Sequence, residues 1–444
     1  MSLYDLTNEN AERGYLVAAE VKQSRPLIRA EDSLDELALL AKTAGITVVG
    51  QAVQHLRQID PSTYIGSGKV QEIYEDVQRL NATIVLFDDE LSPRHQRELE
   101  AVFGESIKVL DRSALILDIF AQHARTREGA LQVELAQYEY RLPRLTRQWT
   151  HLARQAGGGG GRGGNAGVGL RGPGETQLEV DRRDISRRIS KLKEDLEEVR
   201  AHRQRHRAQR VRQGVPVVAL VGYTNAGKST LLNRLTGADV YAANQLFATL
   251  DPTTRQLALP GGKNVLLSDT VGFIQKLPTT LIAAFRATLE EVVAADVIIH
   301  VVDASHPMMR EQIETVEDTL AQIETPNLPL ILVLNKIDAL EGQPTPDLSG
   351  FGGTDRYSRY AAVVPLSART GTGTEGLLTE IAQVLQEALI AVHVTLPYQR
   401  GDLVALIHDQ GVVNEESHTE TGVVIDAHVP PRLAAILAEV KITA

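Results

Sequence analysis

The sequence predicts a multidomain α/β protein, and three observations carry this prediction. The chain has 444 residues, which is more than one hydrophobic core usually organises. From Val215 onward, apolar runs alternate with helical segments, which is typical of a mainly parallel sheet covered on both faces. A shorter helix–strand alternation precedes it, and two stripes with coiled-coil spacing lie between the two regions.

The N-terminal region, residues 1–129, is predicted to be a small parallel α/β domain. Its elements are expected to be, in order, the helix Leu34–Thr43, the strand Ile46–Val49, the helix Gly68–Leu80, the strand Thr83–Phe87, the helix Pro93–Phe103 and the strand Ile107–Leu110. The stretch Gly66–Lys69 looks like half a phosphate loop but lacks the preceding glycine, so it is interpreted as a turn that enters a helix.

Residues 130–213 are predicted to form an antiparallel helical hairpin. Apolar residues step by four and three from Leu131 to Leu145 and again from Ile185 to Val199, and such stripes are buried when they face each other. Pro143 predicts a kink or break in the first helix. The glycine-rich residues 157–174 are expected to form the tip of the hairpin.

Residues 214–391 are predicted to form a third domain with a mainly parallel sheet. Its expected strands are 217–222, 264–270, 296–304, 329–338 and 362–368. Residues 392–444 then follow the order strand, helix, strand pair and helix, which predicts a small C-terminal α+β domain.

Composition and charge limit the classes of function. The absence of cysteine excludes a disulfide framework, a thiolate metal site and a cysteine nucleophile. The N-terminal residues contain no apolar signal-peptide core, and the apolar stretches are too short to span a bilayer, so we expect a cytoplasmic protein without a membrane span. Peripheral association with a membrane remains open.

The formal net charge of −11 conceals one basic segment. Between Arg141 and Arg212 there are 18 lysines and arginines against 8 aspartates and glutamates. An acidic protein with one such segment indicates an anionic partner that is met at a defined place.

A complete phosphate-loop motif, GxxxxGKS, starts at Gly222, directly after an apolar strand and before an amphipathic helix. Backbone N–H groups and the helix N-terminus are expected to bind phosphates. Lys228 is predicted to lie between the β- and γ-phosphates, and the Ser229 hydroxyl to bind Mg²⁺. The residues predicted to contact nucleotide here are Gly222, Tyr223, Thr224, Asn225, Ala226, Gly227, Lys228, Ser229 and Thr230.

A DxxG motif, Asp269 to Gly272, closes the next apolar strand 40 residues after Ser229. Asp269 is predicted to hold Mg²⁺ and the Gly272 amide to sense the γ-phosphate. For the threonine that senses the ion we favour Thr249, with Thr253 and Thr254 as alternatives.

An NKxD motif ends a later buried strand and predicts selectivity for guanine. The Asp338 carboxylate can accept two hydrogen bonds from the N1–H and 2-amino edge of guanine, whereas adenine would leave it unpaired. A backbone N–H of the Ser367–Ala368 turn is expected to reach guanine O6. The residues predicted at the base are Asn335, Lys336, Asp338, Ser367, Ala368 and Arg369.

Phe273 follows Gly272, at the position where a Ras-like protein has the glutamine that orients the attacking water. Phenylalanine cannot orient water, so intrinsic GTP hydrolysis is predicted to be slow, on the order of 10⁻⁴–10⁻³ s⁻¹, and to be raised sharply by a partner.

These motifs, in this order, resemble the translation-factor-related P-loop GTPases, and further stretches resemble the HflX family of the Obg–HflX superfamily. The stretches are Leu131–Gln137, Gly172–Glu179, Asp181–Arg183 and the segment around Thr249. The resemblance extends from about residue 20 to residue 391, and the last fifty residues resemble only some bacterial members.

The resemblance implies a ribosome-associated GTPase that binds the large subunit and its rRNA and splits stalled or idle ribosomes. We expect the protein to be a monomer. The resemblance also implies that the glycine-rich tip reaches toward the peptidyl-transferase centre. At Asn225 it implies a bound K⁺ near the phosphates, which would act as an arginine finger does. The catalytic residues expected are then Lys228, Thr249, Gly272 and Asn225.

Two other functions remain open at this point. One is a GTPase of ribosome assembly or RNA modification, in which the G domain times release of an immature particle. The other is a binding factor that silences ribosomes by occupancy and hydrolyses GTP only for recycling.

Overall fold

The computed structural model describes residues 12–21, 28–145, 177–212, 215–237, 246–247, 249, 253–278, 291–323, 328–340, 344, 346 and 360–441. The chain forms two compact units. The first comprises the N-terminal region to Val199 together with the segments Ala243–Asp251 and Gln275–Arg286. The second comprises the phosphate-loop region and the C-terminal region.

The first unit contains a four-stranded parallel sheet with the strand order β2-β1-β3-β4. Its strands are β1 (Arg13–Val21), β2 (Thr47–Leu56), β3 (Ile84–Phe87) and β4 (Lys108–Asp111). Its helices are α1 (Ala30–Thr43), α2 (Ser67–Arg79), α3 (Pro93–Phe103) and α4 (Arg112–His123). All four residues of β3 are buried, as expected for a parallel strand with both faces covered.

The α/β class predicted for this region is confirmed, but two of its elements were not predicted. One is β1, which lies between β2 and β3 in the sheet. The other is α4, whose first nine residues are buried and therefore lack the alternation of apolar and polar residues that reveals a surface helix. The Gly66 turn enters α2, as predicted.

The paired apolar stripes of the hairpin pack against each other within the first unit. Helix α5 (Arg127–Arg141) is followed by a 3₁₀ turn at Leu142–Arg144, so the helix ends where Pro143 predicts a break. Helix α6 spans Gln177–Arg212. The shared core contains Leu131, Leu135, Tyr138, Leu142, Ile185, Ile189, Leu192 and Leu196. The tip, residues 157–174, lies outside the described residues.

The second unit contains a six-stranded sheet with the order β10-β9-β8-β5-β7-β6. Its strands are β5 (Val217–Gly222), β6 (Thr253–Ala258), β7 (Asn264–Asp269), β8 (Val297–Asp303), β9 (Leu330–Asn335) and β10 (Tyr360–Pro365). Its helices are α7 (Lys228–Thr236), α8 (Met309–Gln322) and α9 (Thr374–Glu387). Only β6, at the edge, is antiparallel to its neighbour, and this polar strand was not predicted.

A small α+β region ends the second unit, in the order that the sequence predicts. Strands β11 (Ile390–Leu396), β12 (Val412–Thr419) and β13 (Gly422–Val429) form an antiparallel sheet with β13 in the centre. Helices α10 (Gly401–Gln410) and α11 (Pro431–Lys441) contribute to its core, which includes Leu403, Ile407, Leu433 and Leu437.

Candidate nucleotide-binding site

The phosphate-loop motif forms the connection between β5 and α7. Strand β5 ends at Gly222, and α7 begins at Lys228, directly after Gly227. Gly227 has a φ of +96°, a left-handed conformation that costs glycine little. Asn225 also has a positive φ, of +62°. The N-terminus of α7 therefore starts at a tight turn beside the carboxyl end of a buried parallel strand, which is where α/β folds bind anions.

The Lys228 ammonium is held inside this loop. Its Nζ atom donates to the carbonyl oxygens of Gly222 at 3.0 Å and of Tyr223 at 2.9 Å. Burial lowers the pKa of Lys228 to about 8, although the charge of Asp269 opposes that shift. The loop thus holds a buried cation whose charged form an anion would stabilise.

The side-chain oxygens of Ser229 and Asp269, the predicted Mg²⁺ ligands, lie next to each other. The Ser229 hydroxyl donates to Asp269 Oδ2 at 2.7 Å, and Asp269 is fully buried at the end of β7. Hydroxyl and carboxylate oxygens are the donors that Mg²⁺ takes in phosphate-binding sites, so this pair fits the ion.

The three candidate threonines lie in different environments. Thr249 is half-buried and belongs to the first compact unit. Thr253 and Thr254 lie in β6, where Thr253 pairs with Asp269 and Thr254 with Ser268. The choice of Thr249 as the magnesium-sensing residue stays a prediction.

The DxxG turn is tied to the phosphate loop by backbone hydrogen bonds. The Phe273 N–H donates to the Gly222 carbonyl at 3.1 Å, and the Thr224 N–H donates to the Phe273 carbonyl at 2.7 Å. A methyl group on Gly272 would lie 2.9 Å from Thr224 Cα and 3.1 Å from Lys228 Nζ, so a side chain does not fit at this position. Phe273 is buried, with 2% of its surface exposed.

Asn335 joins two of the predicted loops. Its Nδ2 donates to the Ala226 carbonyl at 2.8 Å, and its Oδ1 accepts from the Ala368 N–H at 2.9 Å. The amide thereby connects the phosphate loop to the turn that follows β10 at the predicted base-binding end.

Asp338 lies in a 3₁₀ turn, Ile337–Leu340, which follows β9. Its Oδ1 accepts from the Ser367 hydroxyl at 2.6 Å, and its Oδ2 lies 3.1 Å from Nε of the exposed Arg369. The carboxylate is thus fixed in direction, as a group that reads one edge of a ring must be.

Sequence reasoning missed two polar residues of β8. Asp303 Oδ2 lies 2.7 Å from Nζ of Lys336, which has a φ of +64°. His300 Nδ1 lies 2.8 Å from the Tyr360 hydroxyl, and burial, followed by the charge of Lys228, lowers the pKa of His300 to about 3. His300 is therefore a neutral part of the core. No local motif indicates either residue, because Lys336 follows β9 and Tyr360 lies in β10, both far away in the sequence.

Two absences concern only the part of the chain that the structure describes. Within those residues, no group of three or more histidine, cysteine or acidic side chains could hold a metal ion. Among the helices described, none is long and apolar enough to cross a membrane.

A phosphate loop at the carboxyl edge of a parallel sheet, a serine–aspartate pair and an NKxD turn together define the class of P-loop GTPases. Similar proteins indicate the family within this class. A profile described as "50S ribosome-binding GTPase" matches residues 217–336, and one described as "HflX C-terminal domain" matches residues 354–439. Profiles for a GTP-binding GTPase N-terminal region and middle region match residues 31–121 and 123–210.

Individual relatives are similar in sequence to this protein along most of its length. The GTPase HflX of Lacrimispora saccharolytica is 45% identical over 432 residues, which cover 97% of this chain and 96% of the relative. The GTPase HflX of Escherichia coli is 43% identical over 392 residues, or 88% of each chain. The chain belongs to the HflX family of GTPases.

Among solved structures, a GTP-binding protein from the hyperthermophilic archaeon Sulfolobus solfataricus in complex with GDP is similar. It is 25% identical, has a TM-score of 0.42, and the match covers 84% of this chain and 98% of that chain.

Proposed function

We propose that this GTPase binds the large ribosomal subunit and uses GTP binding and hydrolysis to separate the subunits of stalled or idle ribosomes. The observation that carries the proposal is the match of residues 217–336 to a family described as ribosome-binding, on a site whose geometry suits GTP. The basic segment between Arg141 and Arg212 supports rRNA as the partner.

The phosphate end of the proposed site consists of the loop from Gly222 to Thr230. Its backbone N–H groups and Lys228 would bind the β- and γ-phosphates. Mg²⁺ would be held by Ser229 and Asp269, and when bound it would neutralise the charge that develops on the phosphates. Thr249 stays the residue predicted to sense the ion. The Gly272 amide would sense the γ-phosphate. The position of Lys228 supports this role, because its Nζ atom would lie 3.1 Å from a methyl group on Gly272 and is therefore next to the same turn.

The base end consists of the NKxD turn and the turn after β10. Asp338 would accept from the N1–H and 2-amino groups of guanine, and its hydrogen bond with Ser367 holds the carboxylate in place for this role. Asn335 would keep the two ends of the site at a fixed distance, since it bonds to Ala226 and Ala368. Lys336, in the same turn, would also contact the nucleotide.

Hydrolysis is proposed to be slow without a partner. Phe273 is buried and has no group that can orient a water molecule. We propose that a K⁺ ion near Asn225 stabilises the charge of the transition state. Turnover in the presence of ribosomes should then be faster in K⁺ than in Na⁺, and equal rates would refute this role.

The hairpin is proposed to be the effector, with its glycine-rich tip at residues 157–174 inserted among rRNA phosphates. The packed stripes of α5 and α6 support this, because they make a stiff stalk. With the ribosome as partner, the proposed location is the cytoplasm. The proposed state is a monomer, with domains at 1–129, 130–213, 214–391 and 392–444.

Sedimentation of intact ribosomes tests the proposal. Added protein with a non-hydrolysable GTP analogue should lower the intact-ribosome peak and raise the subunit peaks. A variant without residues 157–174 should bind nucleotide normally and leave the peaks unchanged. If that variant still splits ribosomes, the tip is not the effector. An unchanged profile with the full-length protein would favour the assembly or silencing functions.

A further inference from the structure

Arg234 connects the helix after the phosphate loop to the turn at the proposed base. It lies in the last turn of α7. Its Nε atom donates to the Ala368 carbonyl at 3.1 Å, and its Nη2 donates to the Arg369 carbonyl. These contacts join residues that are 134 and 135 positions apart in the sequence. Arg234 lies outside the phosphate-loop, DxxG and NKxD motifs of this chain.

The first of these bonds fixes the direction of a backbone donor. The Ala368 carbonyl and the Arg369 N–H belong to one peptide unit, which is planar and trans, so they point in opposite directions. A guanidinium that holds the carbonyl on one side of the turn therefore aims the N–H toward the other side.

The Ser367 and Ala368 N–H groups, which the sequence predicts at O6, donate to the Thr372 carbonyl and to Asn335, so the Arg369 N–H is the donor that the turn leaves available. The Ala368 N–H donates to Asn335 Oδ1 at 2.9 Å, and the Thr370 N–H donates to the Ser367 hydroxyl at 3.1 Å. Among the described residues, none accepts a hydrogen bond from the Arg369 N–H.

The Arg234 side chain also packs along the turn. A methyl group on Gly371 would lie 3.7 Å from Arg234 Cδ and 3.8 Å from its Cζ, an ordinary contact distance. Gly371 has a φ of +89°, a left-handed conformation that costs glycine little. The stem and the guanidinium of Arg234 therefore lie beside the turn.

We propose that Arg234 is a positioning residue for guanine recognition, because it holds the turn at 368–371 so that the Arg369 N–H points at O6 of the bound base. The inference rests on the proposed guanine site. Asp338 reads the N1 and 2-amino edge, and Arg234 governs the 6-oxo edge without contacting the nucleotide.

Calorimetric titration with GDP, IDP and 6-thio-GDP tests recognition of the 2-amino edge and of the 6-oxo edge of guanine separately. IDP lacks only the 2-amino group that Asp338 reads. In 6-thio-GDP a sulfur, which is a weaker acceptor, replaces O6. The proteins compared are the wild type, R234Q, R234K and R57Q, which alters an exposed arginine of the first unit as a control.

R234Q should bind GDP about fivefold more weakly, as expected for a lost charge-assisted hydrogen bond at a partly exposed site. Its preference for GDP over 6-thio-GDP should fall by the same factor, and its preference for GDP over IDP should stay that of the wild type. R234K, which keeps one charged donor without the fork, should be intermediate. KM for GTP should rise with kcat unchanged, and R57Q should equal the wild type.

The proposal is overturned if R234Q keeps the wild-type preference for GDP over 6-thio-GDP. It is also overturned if R234Q weakens all three ligands equally, as a purely structural role would. A wild type that binds GDP and ADP equally would instead contradict the guanine site itself, so the two failures are distinguishable.

Discussion

The Ser229 hydroxyl donates to Asp269 Oδ2 at 2.7 Å, across 40 positions of sequence. This bond links the first turn of α7 to the end of β7, and it joins the two proposed oxygen ligands of Mg²⁺ next to the buried Lys228.

The first prediction concerns Mg²⁺. Ser229→Ala should lower the affinity for GTP in Mg²⁺ by about tenfold or more, because one ligand of the ion is lost, and should leave the affinity in a chelator nearly unchanged. Ser229→Thr keeps the hydroxyl and serves as the control. If Ser229→Ala shows the Mg²⁺ dependence of the wild type, Ser229 is not a ligand.

The second prediction concerns pH. Burial lowers the pKa of Lys228 to about 8 in the nucleotide-free protein, and bound phosphates stabilise its protonated form. GDP affinity should therefore be constant below this pKa and should fall above it by up to about tenfold per pH unit, since binding then requires proton uptake. Titrations from pH 7 to 9 measure this. Lys228→Arg keeps its charge and should give a flat profile. A wild-type profile equally flat would contradict the assignment.

The third prediction concerns the DxxG turn. Gly272→Ala places a methyl group 2.9 Å from the Thr224 backbone, so the turn must move away from the phosphate loop. GTP affinity and turnover should fall by about tenfold or more, and GDP affinity should fall less. Gly376→Ala is the matched control, since a methyl group there meets no atom within 4 Å. Normal turnover of Gly272→Ala would show that the turn does not sense the γ-phosphate.

The fourth prediction concerns the base. Asp338→Asn should weaken GTP binding by about a hundredfold or more and favour xanthine nucleotides, because an amide cannot accept from both the N1–H and 2-amino groups. Competition between GTP and XTP measures the change. Asp318→Asn, on the exposed face of α8, is the control. Unchanged GTP affinity of Asp338→Asn would refute the assignment.

The parts of the fold that the sequence predicted are those with a local signal. The apolar strand β5 and the phosphate-loop motif are contiguous, so a single stretch of sequence predicts both of them. The apolar stripes of α5 and α6 likewise repeat within each helix. Strand β6 has a polar, half-exposed sequence, and its position depends on pairing with β7, which no local pattern encodes.

The same distinction applies to the site. Lys228, Asp269 and Asp338 lie in motifs whose spacing reveals their chemistry. The partners of Arg234 and His300 are more than fifty positions away in the sequence. The sequence alone therefore does not distinguish either residue from an ordinary surface or core residue. Long-range contacts of single side chains leave no periodic trace in a sequence.

GTP turnover by the purified protein, with and without purified large ribosomal subunits, tests the central claim most directly. We predict a basal rate on the order of 10⁻⁴–10⁻³ s⁻¹, because Phe273 cannot orient water, and a sharp rise when large subunits are added. A fast basal rate that large subunits leave unchanged would contradict it.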